Sequence, residues 1–184
     1  MSIRPSLRAR KPLAMLTLAL LSSCVAPPRE APRPAPAPAP VPAPTPPAPA
    51  LSSDWTQWPM TPGGWTYRLQ ASGGVALFGT AQGETLATFR CELSTRRIMV
   101  SRGGMAAQTG ATMSIRTSFG SAQWPAATQA APVPQVIAAR GASDQTLDQI
   151  AYSRGRFTIE VPGMTPLVLP PWAEIARVIE DCRG

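Results

Sequence analysis

The chain has 184 residues, a formal net charge of +7 and no histidine. Without an imidazole it lacks the commonest general base, the usual serine–histidine–acid arrangement and histidine metal sites. Nor does the charge point to nucleic acid: Arg4, Arg8, Arg10 and Lys11 crowd the first eleven positions, and from Leu51 onward 11 arginines face nine acids with no long basic run. No nucleic-acid partner and no cofactor or metal is therefore expected.

In chain order, the basic start is followed by an apolar run from Pro12 to Leu21, then Ser22, Ser23 and Cys24. That order is the one a secretory signal uses, and the run is too short for a permanent membrane helix. The Leu21-Ser22-Ser23-Cys24 run resembles the bacterial lipobox. The resemblance implies cleavage after Ser23 and acylation of Cys24, which makes the lipid bilayer the first partner. Val25 follows where an aspartate would favour inner-membrane retention. The same resemblance thus implies the periplasmic face of the outer membrane, with multiple acyl chains as a stable anchor.

Residues 24–50 read as a disordered linker. From Ala26 to Ala50 the chain is nearly all proline and alanine, with proline at every second position from Pro32 through Pro44. Proline fixes its own φ and pushes its predecessor towards extended geometry. A polyproline-like spacer of this length reaches roughly 75–80 Å at about 3.1 Å per residue. That reach directs the domain towards an envelope protein or a cell-wall partner. A plain spacer without a binding role is the simpler reading of the linker itself.

Residues 51–184 have the length of one domain with one core. Trp65, Tyr67 and Leu69 alternate with Thr66, Arg68 and Gln70, and Gly73-Gly74 reads as a turn before a strand over Val75 to Phe78. Ala87, Phe89, Cys91 and Leu93 form a second inward set, followed by a turn at Thr95-Arg96-Arg97 and a strand over Ile98 to Val100. Met113, Ile115 and Thr117 alternate again. From Phe119 to Pro134 the pattern loosens, with Trp124-Pro125 as a loop. Val136 to Ala139, Arg156 to Val161 and Leu167 to Leu169 complete seven or eight short strands. The expected fold is mainly β, a small antiparallel sandwich or barrel. One C-terminal helix packs on it, from Trp172 to Cys182, with Ile175, Val178, Ile179 and Cys182 on a single face.

With Cys24 assigned to lipid, Cys91 and Cys182 remain as a pair in an oxidising compartment, and both periodicities turn them inward. A disulfide is expected. The most distinctive internal stretch runs from Ala142 to Phe157. There Leu147, Ile150 and Ala151 suit a helical turn, and Arg154-Gly155-Arg156 offers two guanidinium groups to an acidic partner. The plainer reading pairs Arg154 or Arg156 with Asp144 or Asp148 in a solvated turn. Arg96, Arg97 and Arg102 form a second, solvated basic set. Glycosidase-type carboxylates drawn from Asp144, Asp148 and Glu160 are disfavoured, because so loose a requirement is met by any acidic residues.

The segments AYSRGRFTIEVPG (Ala151 to Gly163) and LPPWAEIARVIEDCR (Leu169 to Arg183) resemble small lipidated periplasmic proteins of alphaproteobacteria. The order of strands, cysteines and terminal helix from Leu86 to Arg183 is similar, by pattern, to the invasion-associated locus B and VasI-like periplasmic β domains. That resemblance implies an accessory envelope role and brings no active-site residues. The leading expectation is a non-enzymatic envelope binding or accessory module. A structural lipoprotein and an inhibitor of a lysozyme-like enzyme are the alternatives. Neither partner identity nor oligomeric state is legible.

Overall fold

A computed structural model describes residues 51–184 except 108, 109 and 131. The expected export segment 1–23, the expected linker 24–50 and the expected acylation site Cys24 lie outside the described residues. The domain is mainly β, with two antiparallel sheets and two helices. The larger sheet contains β1 (Gly64–Gln70), β2 (Gly73–Gly79), β3 (Thr85–Glu92), β4 (Arg97–Gly103), β8 (Gln135–Gly141) and β7 (Ala127–Gln129), in that spatial order. The smaller runs β10 (Leu167–Leu169), β9 (Phe157–Glu160), β5 (Thr112–Thr117) and β6 (Gly120–Pro125). The helices are α1 (Gln145–Ala151) and α2 (Ala173–Arg183).

One core joins the sheets. Trp65 on β1 meets Phe78 and Phe89 edge-on at centroid separations of 5.2 and 5.7 Å, and Phe89 meets Phe157 of the smaller sheet at 6.2 Å. Edge-to-face aromatic pairs add about 0.5–1.5 kcal/mol each beyond their buried area. The remainder of the larger sheet's inner face is taken by α2, packed on β2 and β3. Ile175, Val178, Ile179 and Cys182 are all buried there, as their spacing requires. Cys182 is disulfide-bonded to Cys91 across a sequence separation of 91. Beside that bond the Tyr67 hydroxyl donates to Asp181 Oδ2 at 2.5 Å, and Arg177 lies over the Tyr67 ring at 4.1 Å.

Several local expectations change. Gly73 and Gly74 belong to β2, and the turn is Ala71-Ser72. Gly73 has φ +132°, and a Cβ there would stand 2.8 Å from the Cys91 carbonyl oxygen, so β2 approaches the disulfide as only glycine allows. Leu93 is no inward residue; it sits in the β3–β4 turn and is exposed. The stretch from Phe119 to Pro134 holds two strands, β6 and β7, and Trp124 is 1% exposed inside the core. Pro125 signals a break, yet it closes an edge strand, where a missing N–H costs no ladder bond. The chain passes from β6 in one sheet to β7 in the other through Ala126, whose N–H donates to the Ala111 carbonyl at 2.8 Å.

Candidate functional site

Of the two arginines singled out from the sequence, Arg154 is exposed and Arg156 is half-buried. They lie in the turn from α1 to β9, and this turn is tied to another, Ser118-Phe119 between β5 and β6. The Ser118 N–H donates to Ser153 Oγ at 3.0 Å, and the Arg154 N–H donates to Ser118 Oγ at 2.9 Å. The Ser153 hydroxyl in turn donates to the Arg156 carbonyl at 2.5 Å. Each serine therefore satisfies backbone groups that a turn leaves without a ladder partner. Ser153 is itself buried, so the two loops form one double turn.

Three large side chains project from it. Phe119 is 52% exposed, Tyr152 is 66% exposed, and Arg154 completes the set. The carboxylates expected to neutralise the arginines are engaged elsewhere. Asp144 pairs with Arg140, and Asp148 pairs with Arg183 at 2.9 Å. Among the described residues no ion pair involves Arg154 or Arg156. Arg156 instead donates from Nη1 to the Trp58 carbonyl at 2.7 Å, fastening the N-terminal segment to the same region. The solvated-turn pairing is thus replaced by a backbone-locked turn carrying an unneutralised guanidinium.

Asp144 caps α1, accepting from the Thr146 N–H at 2.8 Å. Burial disfavours its charge. The Thr146 backbone and Arg140 outweigh that effect and hold the carboxyl below the usual range. Glu160, the third carboxylate of the disfavoured hydrolytic grouping, pairs with Arg116 at 2.9 Å and accepts from Thr158. Asp144, Asp148 and Glu160 each answer to a different arginine, an arrangement of structural pairs. Arg102, grouped with Arg96 and Arg97 as solvated, is half-buried and donates to the Gly103 and Thr165 carbonyls. Burial lowers its pKa.

Next to the double turn, the outer face of the smaller sheet is partly roofed by the N-terminal segment. Arg116 stacks on Trp58 at 5.6 Å, and Thr61 exchanges two bonds with Val168 on β10. Beyond Trp58 this face opens into a cavity of about 410 Å³ beside Trp55. Ser114 stands opposite Gln123 and Arg116 opposite Ser121 in the β5–β6 register, so all four occupy one face. Asp54 fixes Trp55 by capping its short 3₁₀ turn (Trp55–Gln57), accepting from the Thr56 hydroxyl and N–H, which hold its carboxyl below the ordinary range.

Nothing local in the sequence sets Trp55, Phe119 and Tyr152 apart as surface residues. The only signal was compositional, and no pattern joins Ser118 to Ser153 across 35 residues. Among the described residues no three His, Cys, Asp or Glu side chains are grouped to hold a metal, and no helix is long and apolar enough to cross a membrane. No family model matches the chain, and neither does any curated protein or solved structure.

Proposed function

We propose that the protein is a lipid-anchored envelope protein whose domain is a non-enzymatic binding module. Its contact surface is the double turn that presents Phe119, Tyr152 and Arg154. The observation carrying this reading is the combination of exposed aromatic rings with an arginine that has no ion-pair partner, on a backbone held by the Ser118 and Ser153 bonds. Aromatic and arginine side chains dominate binding hot spots, and a pre-ordered loop loses little entropy on docking. The two sheets are read as the layers of a sandwich, supported by the Phe89–Phe157 contact between them.

The anchoring half of the proposal rests on the lipobox resemblance at Cys24, with the linker carrying the domain into the periplasm from the outer membrane. Two experiments test the halves separately. Cys24→Ser should move the protein from the membrane to a soluble fraction, and retention in the membrane rejects acylation as the anchor. Cross-linking in intact envelopes, comparing wild type with a Tyr152→Ala, Arg154→Ala variant, should lose one specific adduct. An unchanged adduct pattern rejects the double turn as the contact surface.

A further inference from the structure

We propose that the cavity beside Trp55 is a carbohydrate site taking a short segment of a neutral glycan; this deepens the binding-module reading and rests on it. The chemistry of the walls selects the ligand. One side is the half-buried indole of Trp55. The floor is the outward face of β5 and β6, where Ser114 faces Gln123 and Arg116 faces Ser121. A pyranose ring has the matching duality. Its axial C–H bonds form an apolar, slightly positive face that lies on the negative face of an aromatic ring, and its equatorial hydroxyls reach sideways for donors and acceptors.

The polar groups are uncommitted. Among the described residues, the side chains of Ser114, Ser121 and Gln123 make no hydrogen bond within the domain, although all three line one cavity. Directly opposed residues on neighbouring strands stand about 4.5–5.5 Å apart at Cβ, so two hydroxyls and an amide offer a sugar several hydroxyl partners at once. Charge separates this ligand from an anion. Arg116, the one charged residue of the lining, is held by Glu160 at 2.9 Å, which leaves the floor near neutrality and its guanidinium already paired when any phosphate or carboxylate enters.

A competing cavity is larger, about 730 Å³ on the outer face of the larger sheet, lined by Met99, Ile137, Ala139 and Arg97. Its walls are mostly aliphatic, Arg140 is paired with Asp144, and the Gln129 side-chain carbonyl accepts from Gln135, so it offers no cluster of uncommitted hydroxyl and amide groups. The Trp55 cavity lies within the range of about 300–1,000 Å³ typical of small-ligand sites. It also reaches Thr117 and Gly120, the residues flanking the Ser118-Phe119 turn. A glycan in it therefore runs towards the exposed Phe119 and the surface proposed for partners.

The test is a titration of the isotope-labelled full chain with cellotriose and chitotriose, with inorganic phosphate as the anionic control. The indole N–H and Gln123 amide signals are followed by NMR. A saturable shift of the Trp55 and Gln123 signals with at least one trisaccharide is expected, with phosphate silent. Trp55→Ala should weaken it at least about tenfold, Gln123→Ala less, and Trp55→Phe should retain most of it because the ring face is kept. The proposal is overturned by the absence of saturation with either sugar through about 10 mM. Binding undiminished in Trp55→Ala, or displacement by phosphate, overturns it equally. If the sugars fail while the Tyr152→Ala, Arg154→Ala variant still loses its cross-linked partner, the glycan falls and the binding surface stands.

Discussion

The disulfide region and the double turn are stabilised in different currencies of interaction. Around Cys91 and Cys182 the fold uses a buried covalent bond and, outside it, the half-buried Tyr67–Asp181 hydrogen bond and the Arg177 stack, all of which hold α2 on the sheet. Around Ser118 and Ser153 it uses a few hydroxyl-to-backbone bonds and leaves Phe119, Tyr152 and Arg154 facing water. Stability is concentrated where nothing is presented, and presentation occurs where little besides backbone order is invested. That division marks Phe119, Tyr152 and Arg154 as side chains dispensable to the fold, in contrast to the serines beneath them.

Mutations on the two sides should therefore separate stability from binding. The largest effect belongs to the disulfide. Cys91→Ala with Cys182→Ala releases a loop of 91 residues and should cost about 4 kcal/mol, read as a lower urea midpoint. A loss below about 1 kcal/mol would show that α2 is held by packing alone. Next comes Ser153→Ala, which deprives the Ser118 N–H and the Arg156 carbonyl of their partner and should cost about 1–3 kcal/mol. It should also weaken the surface carried by Phe119 and Arg154 without altering either residue. If stability drops while cross-linking is untouched, the double turn needs no locking to bind.

Acid titration resolves a smaller effect. The carboxyl pKa of Asp144 is depressed in the fold, so its contribution is present above the unfolded value near 3.9 and fades as pH falls through the folded value. The stability difference between wild type and Asp144→Asn should be constant from neutrality to about pH 5 and close below about pH 4. A difference that persists at lower pH would assign the effect to packing. Smallest of all, Tyr152→Ala and Arg154→Ala should each change stability by less than about 0.5 kcal/mol, as surface residues do. A larger cost for either would make the double turn structural and erase the contrast with the disulfide region.

Alternation and helical spacing made much of this legible in advance. Trp65, Phe89, Cys91, Ile115 and the face of α2 point inward as their periods demand, and the Cys91–Cys182 bond follows from two inward cysteines. Leu69 kept its period and still lies 71% exposed, near the end of β1 at the edge of the larger sheet. Trp124 was hidden by its neighbour: proline reads as a break unless the strand is known to be an edge. The site was less legible still. Arg154 and Arg156 stood out locally, but their setting depends on Ser118, Trp58 and the rivals that occupy Asp144 and Asp148. Those contacts are tertiary, and no window along the chain contains them.

The N-terminal segment has a mechanical consequence. A pull on the chain at Leu51 is transmitted first to Ser52, whose carbonyl accepts from the Trp58 indole, then to the Arg156 clamp on Trp58 and the Thr61–Val168 pair. These bonds lie in sequence along the segment and are loaded one after another, like a strip being peeled. Trp55 lies between the first and second of them. A pull at Leu51 thus acts on the wall of the Trp55 cavity before it reaches either sheet, so the load at which the domain unfolds and the load at which that cavity opens are two different forces.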